Sequence, residues 1–321
     1  MYLKWMSIIF YAFLLQVTGS SAYAGWPDRP ITFVVPYTPG TGIDTIARQL
    51  AARLPEKLGQ PVVVENLAGA SGNIGSEKVA RSKPDGYTFL VQVNTLVMNK
   101  SLYPELRYDP VSDFDPVSQT SWGSLLLVVN PAVQRISTIQ DVIRVAGSKP
   151  NQFTYATPGV GTPHHLAMAL FLQRNHLEML HVPYKGTSGA VTDLLGGRVD
   201  YMFLPVHVAL PHILNGKLKA IATSSPEQLP QLPDVPTLSQ SSSDNSDMWY
   251  GVLAPKGTPS DIIKKLNHEI VKILDETDIV NAFKSQGMVP APSSPEEFSV
   301  LIANDARRWA DVVKAGNIKA E

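Results

Sequence analysis

Short apolar runs alternate along this chain with longer segments in which apolar residues recur every three or four positions. The first strand-like run covers residues 31–35, and a helical pattern follows it through Leu54. Two more strand-like runs, at residues 62–64 and 87–93, enclose a second helical segment. This order of strand, helix, strand, helix and strand predicts a parallel sheet covered by helices.

A second α/β set follows residue 122. Its predicted strands are 125–129, 153–156, 179–182, 199–203 and 218–223, and its predicted helices are 164–174, 188–195 and a segment after Pro205. Residues 224–247 are rich in Ser, Pro, Gln and Asp, which is typical of a connection. We therefore predict two domains, one of residues 25–122 plus 247–321 and one of residues 123–246, with a ligand cleft between them.

The last part of the chain contains a predicted strand at 249–254 and three helices. Two of these helices have clear start signals, Thr258-Pro259-Ser260-Asp261 and Ser294-Pro295-Glu296-Glu297. Each signal places a hydroxyl residue as N-cap before a proline at the first helical position. Because each helix has one apolar face, we expect both to pack on the body of the protein.

The first 24 residues have the layout of a cleavable secretory signal. An apolar run from Ile8 to Val17 precedes the small-residue step Ala22-Tyr23-Ala24. The run of about ten residues is too short to span a membrane, which needs roughly 20. We expect export to the periplasm and a mature chain that begins near Gly25; an uncleaved N-terminal anchor is the alternative.

Composition narrows the class of protein. The 321 residues are 44% hydrophobic and 17% charged, and they contain no cysteine, so neither a disulfide nor a lipid-modified cysteine is available. Without residues 1–24 the formal net charge changes only from −1 to −2. A nearly neutral chain without a basic block argues against nucleic acid as a partner.

Three turns between a strand and a helix are rich in small residues, at positions 36–44, 69–75 and 157–162. Glycine lets the backbone approach a ligand, and the start of the following helix offers unpaired N–H groups and a partial positive charge. Such turns can hold an anion without Lys or Arg. Tight chain reversal alone is the simpler explanation for any one of them.

The sequence supports a nucleotide, hydrolase or metal site less well than an anion site at the glycine-rich turns. Gly40-Thr41-Gly42 with Glu65 resembles part of a dinucleotide-binding fingerprint, but Thr45 stands where the third glycine belongs. The chain has no Gly-x-Ser-x-Gly motif of a hydrolase. His164 and His165 are adjacent, so they lack the i, i+4 spacing of two zinc ligands on one helix. We expect one histidine of that pair to line its turn and the other to face solvent, and the other five histidines to be structural or on the surface. No cofactor, metal or catalytic residue is predicted.

The mature chain resembles the extracytoplasmic solute receptors of tripartite tricarboxylate transporters, also called the Bug family. The resemblance extends from Trp26 to the C-terminal helix. The blocks that carry it are Trp26-Pro27-Asp28-Arg29-Pro30-Ile31, Pro39-Gly40-x-Gly42-x-Asp44, Glu65-Asn66, Gly69-Ala70-x-Gly72-Asn73-Ile74-Gly75, Pro84-Asp85-Gly86-Tyr87, Gly159-x-Gly161-Thr162-x-x-His165-Leu166, Val182-Pro183-Tyr184-Lys185-Gly186, Asp193-Leu194-Leu195-Gly196-Gly197-x-Val199-Asp200 and Leu253-Ala254-Pro255-x-Gly257-Thr258-Pro259.

The resemblance implies a two-domain, clam-shell periplasmic binding protein of type II-like α/β fold, which pinches a carboxylate between the turns at 36–44 and 157–162. Thr41 departs from the family pattern, which usually has glycine there, and Thr157 replaces a common serine. Asp44 is expected to cap its helix, because an acid beside a bound carboxylate would repel it. The implied ligand-binding residues are Tyr37, Gly40, Thr41, Gly42, Asn94, Thr157, Gly161, Thr162, His165 and Phe203.

The expected function is capture of a small carboxylate for the membrane permease subunits of such a transporter, with hinge closure near Trp122 and Met248. Candidate ligands are di- and tricarboxylates, acidic or amide amino acids, aromatic carboxylates and related vitamins. A monomer is expected. Two alternatives stay open: a subunit that presents ligand to a signalling protein, and a periplasmic enzyme, which no set of catalytic residues supports.

Overall fold

The computed structural model describes residues 25–184, 186–238 and 247–318, so the predicted signal segment lies outside the described residues. Six strands form a first sheet in the order β11-β4-β10-β3-β1-β2. These strands are β1 (Ile31–Val35), β2 (Val62–Asn66), β3 (Thr88–Val93), β4 (Phe114–Gly123), β10 (Met248–Pro255) and β11 (Met288–Pro290). We call the elements around this sheet the first lobe.

Five strands form a second sheet in the order β7-β6-β8-β5-β9. They are β5 (Leu125–Val129), β6 (Thr154–Thr157), β7 (Leu180–Pro183), β8 (Tyr201–Pro205) and β9 (Lys219–Thr223). The elements around this sheet are the second lobe. All five residues of β5 are buried, as expected for a strand that is covered on both faces.

The two sheets share one pattern of strands. β1 lies between its parallel neighbours β2 and β3, and β10 is antiparallel to both β3 and β4. In the second sheet β6 lies between its parallel neighbours β7 and β8, and β5 is antiparallel to both β8 and β9. The chain passes from the first sheet to the second at Ser124, and after β9 ends at Thr223 it returns to the first sheet with β10, which begins at Met248.

Helices cover both sheets. In the first lobe they are α1 (Gly42–Leu58), α2 (Asn73–Ala80), α3 (Thr95–Leu102), α8 (Ser260–Leu274), α9 (Thr277–Ser285) and α10 (Pro295–Ala315), with a 3-10 turn at Ala70–Gly72. In the second lobe they are α4 (Ile139–Gly147), α5 (Pro163–Arg174), α6 (Thr187–Leu195) and α7 (Val206–Leu214). No helix among the described residues is both long and apolar enough to cross a membrane.

The helical pattern that the sequence predicts after β1 forms α1 and explains its packing. Ile46, Leu50 and Leu54 repeat at helical spacing, and all three side chains are fully buried in the core of the first lobe. Phe33 of β1 and Phe89 of β3 meet edge to face beneath them, with ring centroids 6.1 Å apart. This packing fixes the start of α1 at the carboxyl end of β1.

One of the two predicted N-caps is confirmed and the other is wrong. Ser294 Oγ accepts a hydrogen bond from the Glu297 N–H at 3.1 Å, and Glu297 Oε2 accepts one from the Ser294 N–H at 2.9 Å. Thr258 instead donates its hydroxyl to the Pro255 carbonyl at 2.7 Å, and α8 begins two residues later. The proline-rich approach to α8 therefore turns the chain without a side-chain cap.

Candidate ligand-binding cleft

The first turn of the candidate cleft joins β1 to α1. Gly40 has a φ of +84°, a left-handed conformation that favours glycine, and Gly42 is the first residue of the helix. The N–H groups in the first turn of α1 have no acceptor within the helix, and the helix dipole adds a partial positive charge. The turn can therefore attract an anion.

Asp44 holds this turn in shape. Its Oδ2 accepts hydrogen bonds from the Gly40 N–H and from Arg48 Nε, both at 2.9 Å, and its Oδ1 accepts one from Asn66 Nδ2 at 2.8 Å. Burial opposes ionisation of Asp44, but these hydrogen bonds outweigh it, so the pKa of the carboxyl is lowered. The N-cap of α1 is Thr41 and no side chain makes a cap hydrogen bond, so the prediction that Asp44 caps the helix is wrong. Asp44 lies in the first helical turn, and its carboxyl instead occupies the Gly40 N–H.

The second turn joins β6 to α5 at the equivalent place in the other sheet. Thr162 is the N-cap of α5: its hydroxyl accepts a hydrogen bond from the His165 N–H at 3.4 Å and donates one to the Gly159 carbonyl at 2.8 Å. The hydroxyl of Thr157 accepts from the Gly159 N–H at 3.3 Å. Both threonine hydroxyls thus brace the turn, and Gly161, with a φ of +76°, completes it.

His165 also belongs to the framework of the second turn. Its Nδ1 accepts a hydrogen bond from the Gly161 N–H at 3.1 Å, and its ring stacks on His181 with centroids 4.1 Å apart. Burial lowers the pKa of His165 to about 3 and that of His181 to about 4, so both rings are neutral at neutral pH. The prediction that one histidine of the pair lines the turn is therefore confirmed.

The accompanying prediction, that the other histidine faces solvent, is wrong. Both ring nitrogens of His164 are inaccessible to solvent and have no hydrogen-bond partner among the described residues. Sequence spacing alone could not reveal this, because the burial of a side chain at a helix start depends on how the helix packs in the fold.

Each turn contacts the opposite lobe. A Cβ placed on Gly161 would lie 2.4 Å from Leu102 Cδ1, at the end of α3 in the first lobe. A Cβ placed on Gly42 would lie 3.2 Å from His207 Cε1, in α7 of the second lobe. Leu166 of α5 is fully buried in the same apolar cluster as Leu102. The two lobes therefore meet at the two glycine-rich turns.

Tyr37 lies just beyond β1 and Asn94 just beyond β3, at the carboxyl ends of their strands. The half-buried Tyr37 donates its hydroxyl to the Ser71 carbonyl at 3.5 Å, and burial raises its pKa far above the ordinary value. Asn94 is fully buried at the carboxyl end of β3, and its Nδ2 donates to the Asp247 carbonyl at 3.1 Å. Its Oδ1 is buried and has no partner in the described part of the chain.

Phe203 is buried within the second sheet. Its side chain is 1% exposed in β8 and packs edge to face on Phe171 of α5, with centroids 6.5 Å apart. It belongs to the core behind the second turn, and its contact with ligand stays a prediction.

Three polar residues near the turns were not singled out from the sequence. His207 is the second residue of α7, which directly follows β8, and this is the same strand-to-helix position that the two predicted turns occupy in their sheets. Tyr250 Oη lies 3.5 Å from a Cβ placed on Gly42, and Asp247 precedes β10 at the return crossing. The strand-to-helix turn at Pro205 could have indicated His207 from the sequence. The positions of Tyr250 and Asp247 depend instead on how the strands pair. The described residues contain no group of three or more His, Asp or Glu side chains that could hold a metal ion.

Two similar sheets joined by two crossings, each with a glycine-rich turn that contacts the other lobe, define a two-lobed periplasmic binding protein. Residues 46–318 match the model of the tripartite tricarboxylate transporter family receptor, TctC, and the chain belongs to this family. Its members are periplasmic solute-binding receptors and not enzymes.

Similar proteins agree in length and fold. The protein BugT of Bordetella pertussis is 37% identical over 298 residues, which cover 92% of this chain and 91% of BugT. The structure of Rpa4515 of R. palustris with adipate is 31% identical, covers 92% of this chain and 100% of its own, and superposes with a TM-score of 0.84. MatC (Rpa3494) of Rhodopseudomonas palustris with bound malate is 31% identical, with coverages of 90% and 100% and a TM-score of 0.79.

Proposed function

We propose that this protein is a periplasmic solute receptor that captures a small carboxylate between its two lobes and delivers it to the permease subunits of a tripartite tricarboxylate-type transporter. The observation that carries the proposal is the pair of cross-lobe contacts at Gly42 and Gly161. Each contact places the N-terminus of one helix against the other lobe, so a ligand at either turn would touch both lobes. Adipate and malate, the ligands of two similar structures, are both carboxylates.

In this proposal the carboxylate binds to backbone N–H groups at the starts of α1 and α5. The contacting residues are Tyr37, Gly40, Thr41, Gly42, Asn94, Thr157, Gly161, Thr162, His165 and Phe203. Asp44 and His165 support binding by holding their turns, since each accepts a hydrogen bond from a glycine N–H in its own turn. Preorganised donors need no rearrangement when the anion arrives, which favours affinity.

The first lobe acts as the predicted domain of residues 25–122 plus 247–321, and the second lobe acts as the predicted domain of residues 123–246. The two lobes open by a hinge at the two crossings. Asp247 supports this placement of the hinge. Its carboxylate accepts a hydrogen bond from Ser224 Oγ at 2.5 Å, and Ser224 Oγ accepts one from the Leu125 N–H at 2.8 Å, so one network joins both crossings. Residues 1–24 direct export and are removed, and the mature receptor is a monomer.

The proposal is tested by thermal unfolding of residues 25–321 in the presence of a panel of carboxylates and their primary amides. A ligand that binds only the folded state raises the Tm in a saturable way. We expect at least one carboxylate to raise the Tm while its amide does not. A rise with neutral sugars or nucleotides, and with no carboxylate, would contradict the proposal.

A further inference from the structure

A tyrosine just after the return crossing points at the first turn. Tyr250 is the third residue of β10 and lies between Val93 of β3 and Ser121 of β4. Only 5% of the residue is exposed. Its Oη lies 3.5 Å from a Cβ placed on Gly42, the first residue of α1. A central strand of the first sheet therefore directs this side chain to the start of α1.

A glycine in the neighbouring strand makes room for the tyrosine ring. A Cβ placed on Gly123, the last residue of β4, would lie 2.8 Å from Tyr250 Cε2 and 3.3 Å from its Oη. Any larger residue at position 123 would displace the ring. This packing fixes the hydroxyl before a ligand arrives, and groups on strands are held more precisely than groups on loops.

The hydroxyl of Tyr250 has no use within the fold. No described residue forms a hydrogen bond with it. Burial raises the pKa of Tyr250 far above its ordinary value, so the hydroxyl keeps its proton and can donate a hydrogen bond. An unpaired hydroxyl on a buried ring needs an explanation, because polar groups inside proteins normally have partners.

The second lobe approaches the same point from the other side. His207 of α7 lies against Gly42, with its Cε1 3.2 Å and its Nε2 3.8 Å from a Cβ placed there. Tyr250 of the first lobe and His207 of the second lobe thus both lie beside the first residue of α1. The N–H groups at this helix start have no acceptor within the helix. A ligand oxygen bound there would meet backbone donors and the Tyr250 hydroxyl together.

We propose that Tyr250 is a ligand-binding residue whose hydroxyl donates a hydrogen bond to an oxygen of the ligand at the start of α1. This inference rests on the proposed function and adds a side-chain donor from outside the three glycine-rich turns. A hydrogen bond to a charged oxygen contributes more than one between neutral groups, so removal of this single atom should have a measurable effect on affinity.

The test deletes the hydroxyl and keeps the ring that packs on Gly123. Calorimetric titration gives the Kd of succinate, malate, adipate and benzoate for the wild type and for Tyr250→Phe. We expect each carboxylate that binds the wild type to bind the variant at least about tenfold more weakly. The Tm of the ligand-free variant should be unchanged or higher, because no hydrogen bond within the protein is lost.

Tyr87→Phe is the matched control, since it deletes the same atom at the opposite end of β3. Tyr87 Oη donates a hydrogen bond to Asp28 Oδ1 at 2.6 Å, so this variant should lower the Tm and leave every Kd unchanged. Wild-type affinity in Tyr250→Phe, or a loss of affinity with a fall in Tm as large as that of Tyr87→Phe, would overturn this inference alone. Absence of binding by all four carboxylates would overturn the proposed function and this inference with it.

Discussion

At the scale of single residues, Asp44 illustrates how a buried carboxylate can hold a glycine-rich turn in shape. Asp44→Asn removes the ion pair with Arg48 and weakens the hydrogen bond from Gly40. We expect it to lower the free energy of unfolding at pH 7 by about 2 kcal/mol. Urea unfolding measures this loss, with Asp311→Asn on the exposed face of α10 as the control.

The pH dependence of that loss has a definite sign. The pKa of Asp44 is lower in the folded state than in the unfolded state, so its contribution is fully present above the unfolded pKa of about 3.9. It disappears as the pH falls through the folded pKa. The difference between Asp44→Asn and the wild type should therefore shrink below about pH 4. A difference that stays constant down to acid pH would show that the ionised carboxylate does not hold the turn.

Asp247 should show the opposite pH dependence. Burial raises its pKa to about 6, so between about pH 4 and 6 the folded protein binds more protons than the unfolded chain, and the free energy of unfolding falls as the pH rises. Asp247→Asn should lack this decrease, so the variant should gain on the order of 2–3 kcal/mol relative to the wild type between pH 4 and pH 7. Unfolding curves across that range measure the gain, and parallel curves would contradict it.

The residues that the sequence could assign are those whose partners are near in the chain. Asp44 lies four residues from both Gly40 and Arg48, so its place at the helix start was predictable from local rules, although it does not cap the helix. Gly42 and His207 are 165 positions apart and come together only through the docking of the two lobes. A pattern of single residues contains no information about that encounter.

At the scale of elements, α10 depends on a capping box that was predictable from the sequence. Ser294→Ala removes the acceptor for the Glu297 N–H and should lower the free energy of unfolding by about 1 kcal/mol. Urea unfolding tests this value. Ser299→Ala, at an exposed position inside the same helix, should instead be neutral or slightly stabilising, because alanine has the higher helix propensity. Equal losses in both variants would show that the cap contributes nothing.

Elements with unusual composition were missed by sequence reasoning. β4 contains Pro116 and a run of polar residues from Ser118 to Ser121, which is typical of a connection, yet most of the strand is buried between β10 and β11. α3, α4 and the three-residue strand β11 were also not predicted. α4 begins with a capping box formed by Thr138 and Asp141, a local signal that could have identified it.

At the scale of the whole molecule, the repeated sheet pattern explains why the cleft lies where it does. In each sheet the strand between two parallel neighbours, β1 or β6, is the point where the order of strands reverses, and ligands of open α/β sheets bind at the carboxyl ends of such strands. Alternation of strands and helices made the two α/β sets predictable. The contact between the two lobes could not be predicted, because Leu102 and Gly161 meet only through the docking of complete lobes.

The central claim is that a carboxylate is held where the two glycine turns meet the opposite lobe, and Gly161→Ala tests it most directly. The added Cβ would lie 2.4 Å from Leu102 Cδ1, so it should hinder closure more than folding of either lobe. Leu102→Val removes the methyl group in conflict at a cost in stability of about 1 kcal/mol. Gly216→Ala, at an exposed position with a φ of +67° and nothing within 4 Å of the new Cβ, is the control for backbone strain.

The measurement is a calorimetric titration of the carboxylate that gives the largest rise in Tm. We expect Gly161→Ala to weaken binding of this carboxylate at least about tenfold, which corresponds to a loss of about 1.4 kcal/mol. The double variant Gly161→Ala with Leu102→Val should recover most of the affinity. Gly216→Ala should bind as the wild type does. Wild-type affinity in Gly161→Ala, or a loss that is the same with and without the Leu102 methyl group, would contradict the account.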